Sequence, residues 1–224
     1  MSADNEIGGR LRRERRARGW SLRKVADEVG VSASLISQVE TGKTQPSVAT
    51  LYALASLMSV SVDDLLGLET SREPLSSGGS HLDLQRAAEN PSIEMENGVR
   101  WERLAVGRDD DVEPLLVTYE PGASSSLEGK FTRHAGSEYA YVLGGEITLK
   151  LEFETYVLSR GDSIHFDSTR PHLFANHGSV PATGLWFVVG HRDGGVSAGG
   201  GTGARQSTVR SSVDVLARLD ELSP

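Results

Sequence analysis

The sequence predicts an α+β chain of two domains, an all-α unit of five helices followed by an all-β barrel or sandwich, and three observations predict it. Apolar positions recur at helical spacing in short segments from Ile7 to Leu66. A stretch rich in Ser, Gly and Pro comes next. Beyond it, apolar and polar residues alternate in short runs bounded by Gly, Asp, Pro and Asn, which is the period of strands. The expected boundaries are residues 1–68 for the helical domain, 69–95 for a linker and lead-in, 96–192 for the β domain and 193–224 for a Gly-rich tail.

Within the first unit, each helical segment carries its own punctuation. Ser21 is placed to cap a helix over Leu22 to Val29, Ser32 a helix running through Thr41, Ser47 a helix running to Met58, and Ser61 a last turn from Val62. A short hydroxyl side chain at each start can accept a bond from a backbone N–H that the helix leaves unpaired. Gly19, Gly30 and Gly42 close three of the segments.

The linker is read from Pro74, Ser76, Ser77, Gly78, Gly79 and Ser80 in close order. Strand-like runs follow at Val99 to Val106, Leu115 to Tyr119, Tyr139 to Leu143, Ile147 to Leu151, Tyr156 to Leu158, Ile164 to Phe166 and Leu185 to Val189. Short strands at such regular spacing belong to a sandwich or barrel. The glycines from Gly194 to Gly203 make a low-complexity segment, after which Val209, Val213 and Leu216 can line one face of a short helix.

With 224 residues, 38% of them hydrophobic, the chain is long enough for two cores. It has no apolar run long enough for a membrane span and no cysteine for a disulfide or thiolate metal site. The first residues show no secretory h-region, so the expected compartment is the cytoplasm. The net charge of −8 argues at first against a nucleic-acid partner, which needs a basic surface. Residues 1–68, however, carry nine Lys/Arg against eight Asp/Glu, and the remainder fourteen against twenty-three. Between Arg10 and Lys24, eight basic residues face a single acid, Glu14, so the positive charge is gathered on the small unit.

That unit contains two short helices, Leu22 to Val29 and Ala33 onward, joined by a tight turn at Gly30. Ala26 is small where the helices cross, and Val25, Val29, Val31, Ile36 and Val39 fill the core. Ser32, Ala33, Ser34, Ser37 and Gln38 are left outward, short or amide-bearing and none acidic, a face able to approach base edges in a major groove. Leu11 and Arg15, Val25-Ala26, Ile36 through Lys43, Pro46 and Leu51 together resemble the helix-turn-helix proteins typified by phage repressors and the xenobiotic response element regulators. The resemblance implies that Ala33, Ser34, Ser37 and Gln38 read bases, that Ser21, Arg23, Lys43 and Thr44 hold phosphates, and that Arg15 pairs with Glu40.

In the β domain, His134, Glu138 and His172 form the set of two imidazoles and a carboxylate that suits Fe, Mn, Ni or Zn as the divalent ion. In a straight strand, His134 and Glu138 would lie about 13 Å apart at roughly 3.3 Å per residue, so a bend is required, and Gly136 permits it. The segment from about Pro121 to Asn176 resembles the cupin family, small barrels that carry a metal or ligand in the mouth. His134, Glu138 and Gly145 match its first motif, and Gly161-Asp162, Pro171-His172 and Asn176 its second. Thr132 stands where a further metal histidine is usual, and Asp167 and Thr169 replace a Pro and a Gly. The set therefore has two readings, a metal site of three protein ligands or a polar cluster that holds an organic effector without metal. Thr132, Ala140 and Phe174 are candidate pocket residues. Tyr139, Tyr141 and Trp186 are aromatic enough to line a pocket but equally suited to plain core. His165 alternates away from Ile164 and Phe166.

The two resemblances together imply a sequence-specific DNA-binding transcriptional regulator, not an enzyme, that senses a small-molecule effector in the barrel and binds an operator in duplex DNA as a homodimer. The alternative is an enzyme. The chain also resembles the hydroxypropylphosphonate epoxidase, which joins the same two kinds of domain, and under that reading the triad would bind Fe(II) for oxygenase or epoxidase chemistry.

Overall fold

The computed structural model describes residues 4–60, 62–66, 84–105, 112–127 and 129–190. Among these residues five helices come first, α1 (Asp4–Ala17), α2 (Leu22–Val29), α3 (Ala33–Glu40), α4 (Val48–Met58) and α5 (Val62–Leu66). The serine caps lie where the sequence places them. Ser21 Oγ accepts from Lys24 N, Ser32 Oγ from Leu35 N and Ser47 Oγ from Thr50 N, each contact worth about 1 kcal/mol against alanine. Gly30 closes α2 in the left-handed conformation, with φ of 74°. Ser61 and the tail residues Val209, Val213 and Leu216 lie outside the described residues.

Ile7, Leu11, Val25, Ile36 and Val39 are buried in the helical core, while Val29 and Val31 pack at its edge. Arg15 and Glu40 are buried beside them as a two-pronged pair, Nε to Oε1 at 2.5 Å and Nη2 to Oε2 at 2.8 Å. Helix α4 is apolar all round because it has two partners. Leu51, Leu54, Ala55 and Met58 face the helical core, and Val48 and Tyr52 face the β domain.

Among the described residues, a 3-10 turn at Ala87–Glu89 is followed by nine strands: β1 (Ser92–Glu94), β2 (Val99–Arg103), β3 (Val112–Tyr119), β4 (Ser137–Gly144), β5 (Glu146–Leu151), β6 (Glu154–Ser159), β7 (Ser163–Asp167), β8 (His172–Ala175) and β9 (Ala182–Val189). They form a six-stranded sheet, β1-β2-β3-β9-β4-β7, and a three-stranded sheet, β6-β5-β8, with antiparallel neighbours throughout. Two runs escaped the sequence reading. Strand β1 lies inside the expected lead-in, and as an edge strand it is set by its ladder to β2, where Ile93 pairs with Trp101. Strand β8 is buried at every position, so it carries no alternation to read.

The alternation elsewhere sets the two faces. On β4, Glu138, Ala140 and Val142 point inward and Tyr139, Tyr141 and Leu143 outward. Among the described residues no helix is long and apolar enough to cross a membrane.

Candidate functional site

Three side chains from separate parts of the β domain meet in its mouth. Glu138 is the second residue of β4, His172 the first of β8, and His134 sits on the segment entering β4. That segment bends at Gly136, whose φ is 101° and where a Cβ would come within 2.2 Å of the Val189 carbonyl oxygen. The bend folds His134 back over β4, so that His134 Nε2 lies 2.7 Å from Glu138 Oε1 instead of a strand's length away. His172 Nε2 reaches the same oxygen at 3.1 Å. The three groups are all buried, with ligand atoms within 4.8 Å of one another.

The far side of each ring decides what the near side can do. His134 Nδ1 lies 3.2 Å from the Ala135 carbonyl and His172 Nδ1 2.9 Å from the Arg170 carbonyl. A carbonyl only accepts, so both Nδ1 atoms carry the proton, and a neutral ring then turns its Nε2 lone pair to the carboxylate. Two lone pairs facing one carboxylate oxygen need positive charge between them, either extra protons or a divalent cation. The electrostatics of the cluster suit the proton answer. Burial pushes the Glu138 carboxyl up, but the bonds from His134 and His172 outweigh it and hold the group down at about 2. For His172, burial lowers the value, and the bond it donates to the Glu138 carboxylate overrides this and raises it. Burial and then the Glu138 charge raise the Tyr119 phenol.

Thr132, in the position of the missing histidine, is held by a bridge to His172, N to O at 2.8 Å and O to N at 3.0 Å. Its hydroxyl is buried with no hydrogen-bond partner among the described residues, and it lines the cavity beside the triad. Two Nε2 atoms, one carboxylate and an orphaned hydroxyl are a donor set that fits a divalent ion carrying a water or a ligand group. Phe174 lines the same cavity; Ala140 points inward on the Glu138 face but is not part of the lining. Trp186 lines it too, whereas Tyr139 and Tyr141 are on the outer face of the sheet. His165 is exposed and stacks on Tyr139, ring centres 4.3 Å apart.

Two cavity residues come from the helical domain. Val48 and Tyr52 of α4 close the mouth, and the Tyr52 ring is stacked on His134 and edge-on to Trp101. Sequence reasoning missed them. The one available signal was that α4 reads apolar on every face, which a helix with a single partner does not need.

On the other domain, α3 buries Ile36 and Val39 and leaves Ser32, Ser34 and Gln38 exposed. Ala33 and Ser37 are half-buried rather than fully outward, with Ala33 packed against the core. Ser21, Arg23 and Lys43 are exposed and Thr44 half-buried. Lys24 lies over the Trp20 ring at 5.0 Å, with Arg18 on the same ring at 5.8 Å.

The fold and site define a two-domain protein in which a helix-turn-helix is joined to a small β barrel with a buried His-Glu-His cluster. Residues 11–65 match the helix-turn-helix family model and residues 115–188 the cupin domain model, and the two units belong to those families. The chain is similar to the HTH-type transcriptional regulator PuuR of Escherichia coli strain K12, 29% identical over 171 residues that cover 75% of this chain and 86% of the relative. It is also similar to the HTH-type transcriptional regulator SutR of the same strain, 24% identical over 178 residues, 75% of this chain and 85% of the relative. Among solved structures, an HTH_3 family transcriptional regulator from Vibrio cholerae shares the fold with a TM-score of 0.57 at 22% identity, covering 83% of this chain and 96% of that one.

Proposed function

We propose that the protein is a cytoplasmic transcriptional regulator that binds operator DNA as a homodimer through α3 and senses a small molecule in its cupin barrel. One observation carries the reading. The exposed side of α3 is polar, short and free of acids, with exposed Arg23, Lys24 and Lys43 on the flanking segments, while its other side is fixed to the core through Ile36, Val39 and Glu40. A helix held from behind with such a front suits major-groove contact, with Ala33, Ser34, Ser37 and Gln38 toward bases and Ser21, Arg23, Lys43 and Thr44 toward phosphates. Ser32 serves this face as the cap of α3. An enzyme reading leaves that front without a role.

The outer face of the larger sheet supports the dimer. Tyr139, Tyr141, Leu143 and Phe187, each between 36% and 46% exposed, lie on the adjacent strands β4 and β9 with Val112 and Val189 beside them. A contiguous apolar sheet face on a monomer calls for a partner, and a second copy would place two α3 helices on half-sites about 34 Å apart.

In the barrel, Thr132 and Phe174 would contact the effector. His134, Glu138 and His172 would hold one divalent ion of Zn, Fe, Ni or Mn, which would supply a Lewis-acid anchor for an effector group.

Selection of bound sequences from random duplex DNA tests the regulator. Enrichment of a palindromic site is expected, and failure to enrich any, with and without metabolite extract, overturns the reading. Metal analysis of protein purified without chelator, repeated on Glu138→Ala, tests the ion.

A further inference from the structure

The geometry points to α4 of the DNA-binding domain as the lid of the effector cavity, with Tyr52 as its plug, so that an organic ligand enters only when that domain lifts from the barrel. This rests on the sensing role proposed above and specifies how it reaches the DNA-binding domain.

The cavity formed by Val48, Tyr52, Trp101, Thr132, Glu138 and His172 with their neighbours has a volume of about 30 Å³. That is room for about two waters or a bare ion, against the few hundred Å³ of a typical ligand pocket. An organic effector therefore needs a wall to move. The barrel walls are tied strand to strand through the ladders of β3, β4, β5, β8 and β9. The α4 wall meets them differently. Ala49 N donates to the Ser125 carbonyl at 3.0 Å, Lys130 Nζ donates to the Gly30 carbonyl at 2.7 Å, and the Tyr52 ring lies on His134 with centres 4.3 Å apart. These contacts join the barrel to the first turn of α4 and to the turn between α2 and α3, next to the cap of the reading helix. Lifting α4 frees the space that Tyr52 fills and at the same time releases the tether at Gly30. A ligand that binds only the lifted form shifts the domain equilibrium by its difference in affinity for the two forms.

The test uses diethylpyrocarbonate, a small organic reagent that modifies imidazole nitrogen, on the full chain stripped with chelator, with each histidine followed by peptide mass spectrometry. The exposed His177 should label quickly in every variant and serves as the rate reference, while far-UV circular dichroism of each variant reports intact folding. His134 and His172 should be protected in the wild type and in Tyr52→Phe by about tenfold or more, as expected where the open form is populated at roughly 10% or less. Tyr52→Ala should abolish that protection. Lys130→Ala, an exposed position that leaves both cores untouched, should weaken it. Wild-type labelling of His134 and His172 at the His177 rate, or equal rates in wild type, Tyr52→Ala and Lys130→Ala, overturns the lid. The reagent is neither effector nor DNA, so the two ideas fail separately. Effector-driven operator release that survives Glu138→Ala would remove sensing in the barrel and leave the protection pattern standing.

Discussion

The ring of Tyr52 lies nearly parallel to the imidazole of His134, centres 4.3 Å apart and planes 9° apart, so one residue of the DNA-binding domain is in direct contact with the chemical centre of the other domain. Tyr52 is 4% exposed, and its ring contacts cross the seam between domains. Tyr52→Ala should cost about 3 kcal/mol, as for other buried aromatics, seen as a lower urea midpoint. Tyr52→Phe should stay within about 1 kcal/mol of wild type.

Arg15 and Glu40 bind each other two-pronged in a nearly water-free setting. Removing one partner strands a buried charge, so Arg15→Ala should lose about 3 to 5 kcal/mol of stability by denaturant unfolding. The pair Arg15→Met with Glu40→Leu should recover most of it. A double variant no better than Arg15→Ala would assign the pair a specific geometric role in placing α3.

Gln38 is exposed on the side of α3 proposed to meet DNA, and an amide can bond to adenine through two atoms. Gln38→Ala should relax base preference at one position per half-site, at a cost of about 1 to 3 kcal/mol, in binding to a library of operator variants. Lys43→Ala should instead weaken all sequences alike and reduce the salt slope by about one. Uniform loss for Gln38→Ala would show that its amide does not face a base.

Gly136 bends the chain that carries His134. An alanine there would be strained at φ of 101° and would drive its Cβ against the Val189 carbonyl. Gly136→Ala should destabilise the β domain by about 1 to 3 kcal/mol and abolish the rise in melting temperature expected of the wild type with Ni(II) or Zn(II). Retained metal stabilisation would show that His134 is dispensable as a ligand.

The triad also gives chelator-stripped protein a pH signature. Glu138 titrates at about 2 when folded, below its usual 4.5, so its contribution is complete above 4.5 and is lost as pH falls toward 2. His172 is raised above 6.5, so its contribution is complete below 6.5 and is lost as pH rises through the folded value. The stability gap between wild type and Glu138→Gln should therefore be widest between about pH 4.5 and 6.5. A gap that grows steadily above that window would contradict the protonated cluster.

The helical domain was readable almost residue by residue, because Ser21, Ser32, Ser47 and Gly30 act locally and their signals are local. The triad was readable as a set, and the need for a bend at Gly136 followed from strand rise alone. What stayed hidden depended on partners distant in sequence. Strand β1 is set by its ladder to β2, β8 lacks alternation because both its faces are covered, and Tyr52 looked like ordinary core until a second domain supplied the surface it covers. The half-burial of Ala33 and Ser37 was missed for a similar reason, since the tilt of α3 against α1 and α2 is set by packing.

The three tryptophans of the chain occupy three different working parts of the molecule. Trp20 sits beneath Lys24 and Arg18 at the start of α2, Trp101 touches the edge of Tyr52 at the seam, and Trp186 lines the cavity. The protein thus carries its own optical reporters. With single-tryptophan variants, emission from position 20 would follow DNA, emission from position 101 the parting of the domains, and emission from position 186 the arrival of a ligand, so the order of the three events can be timed in unlabelled protein.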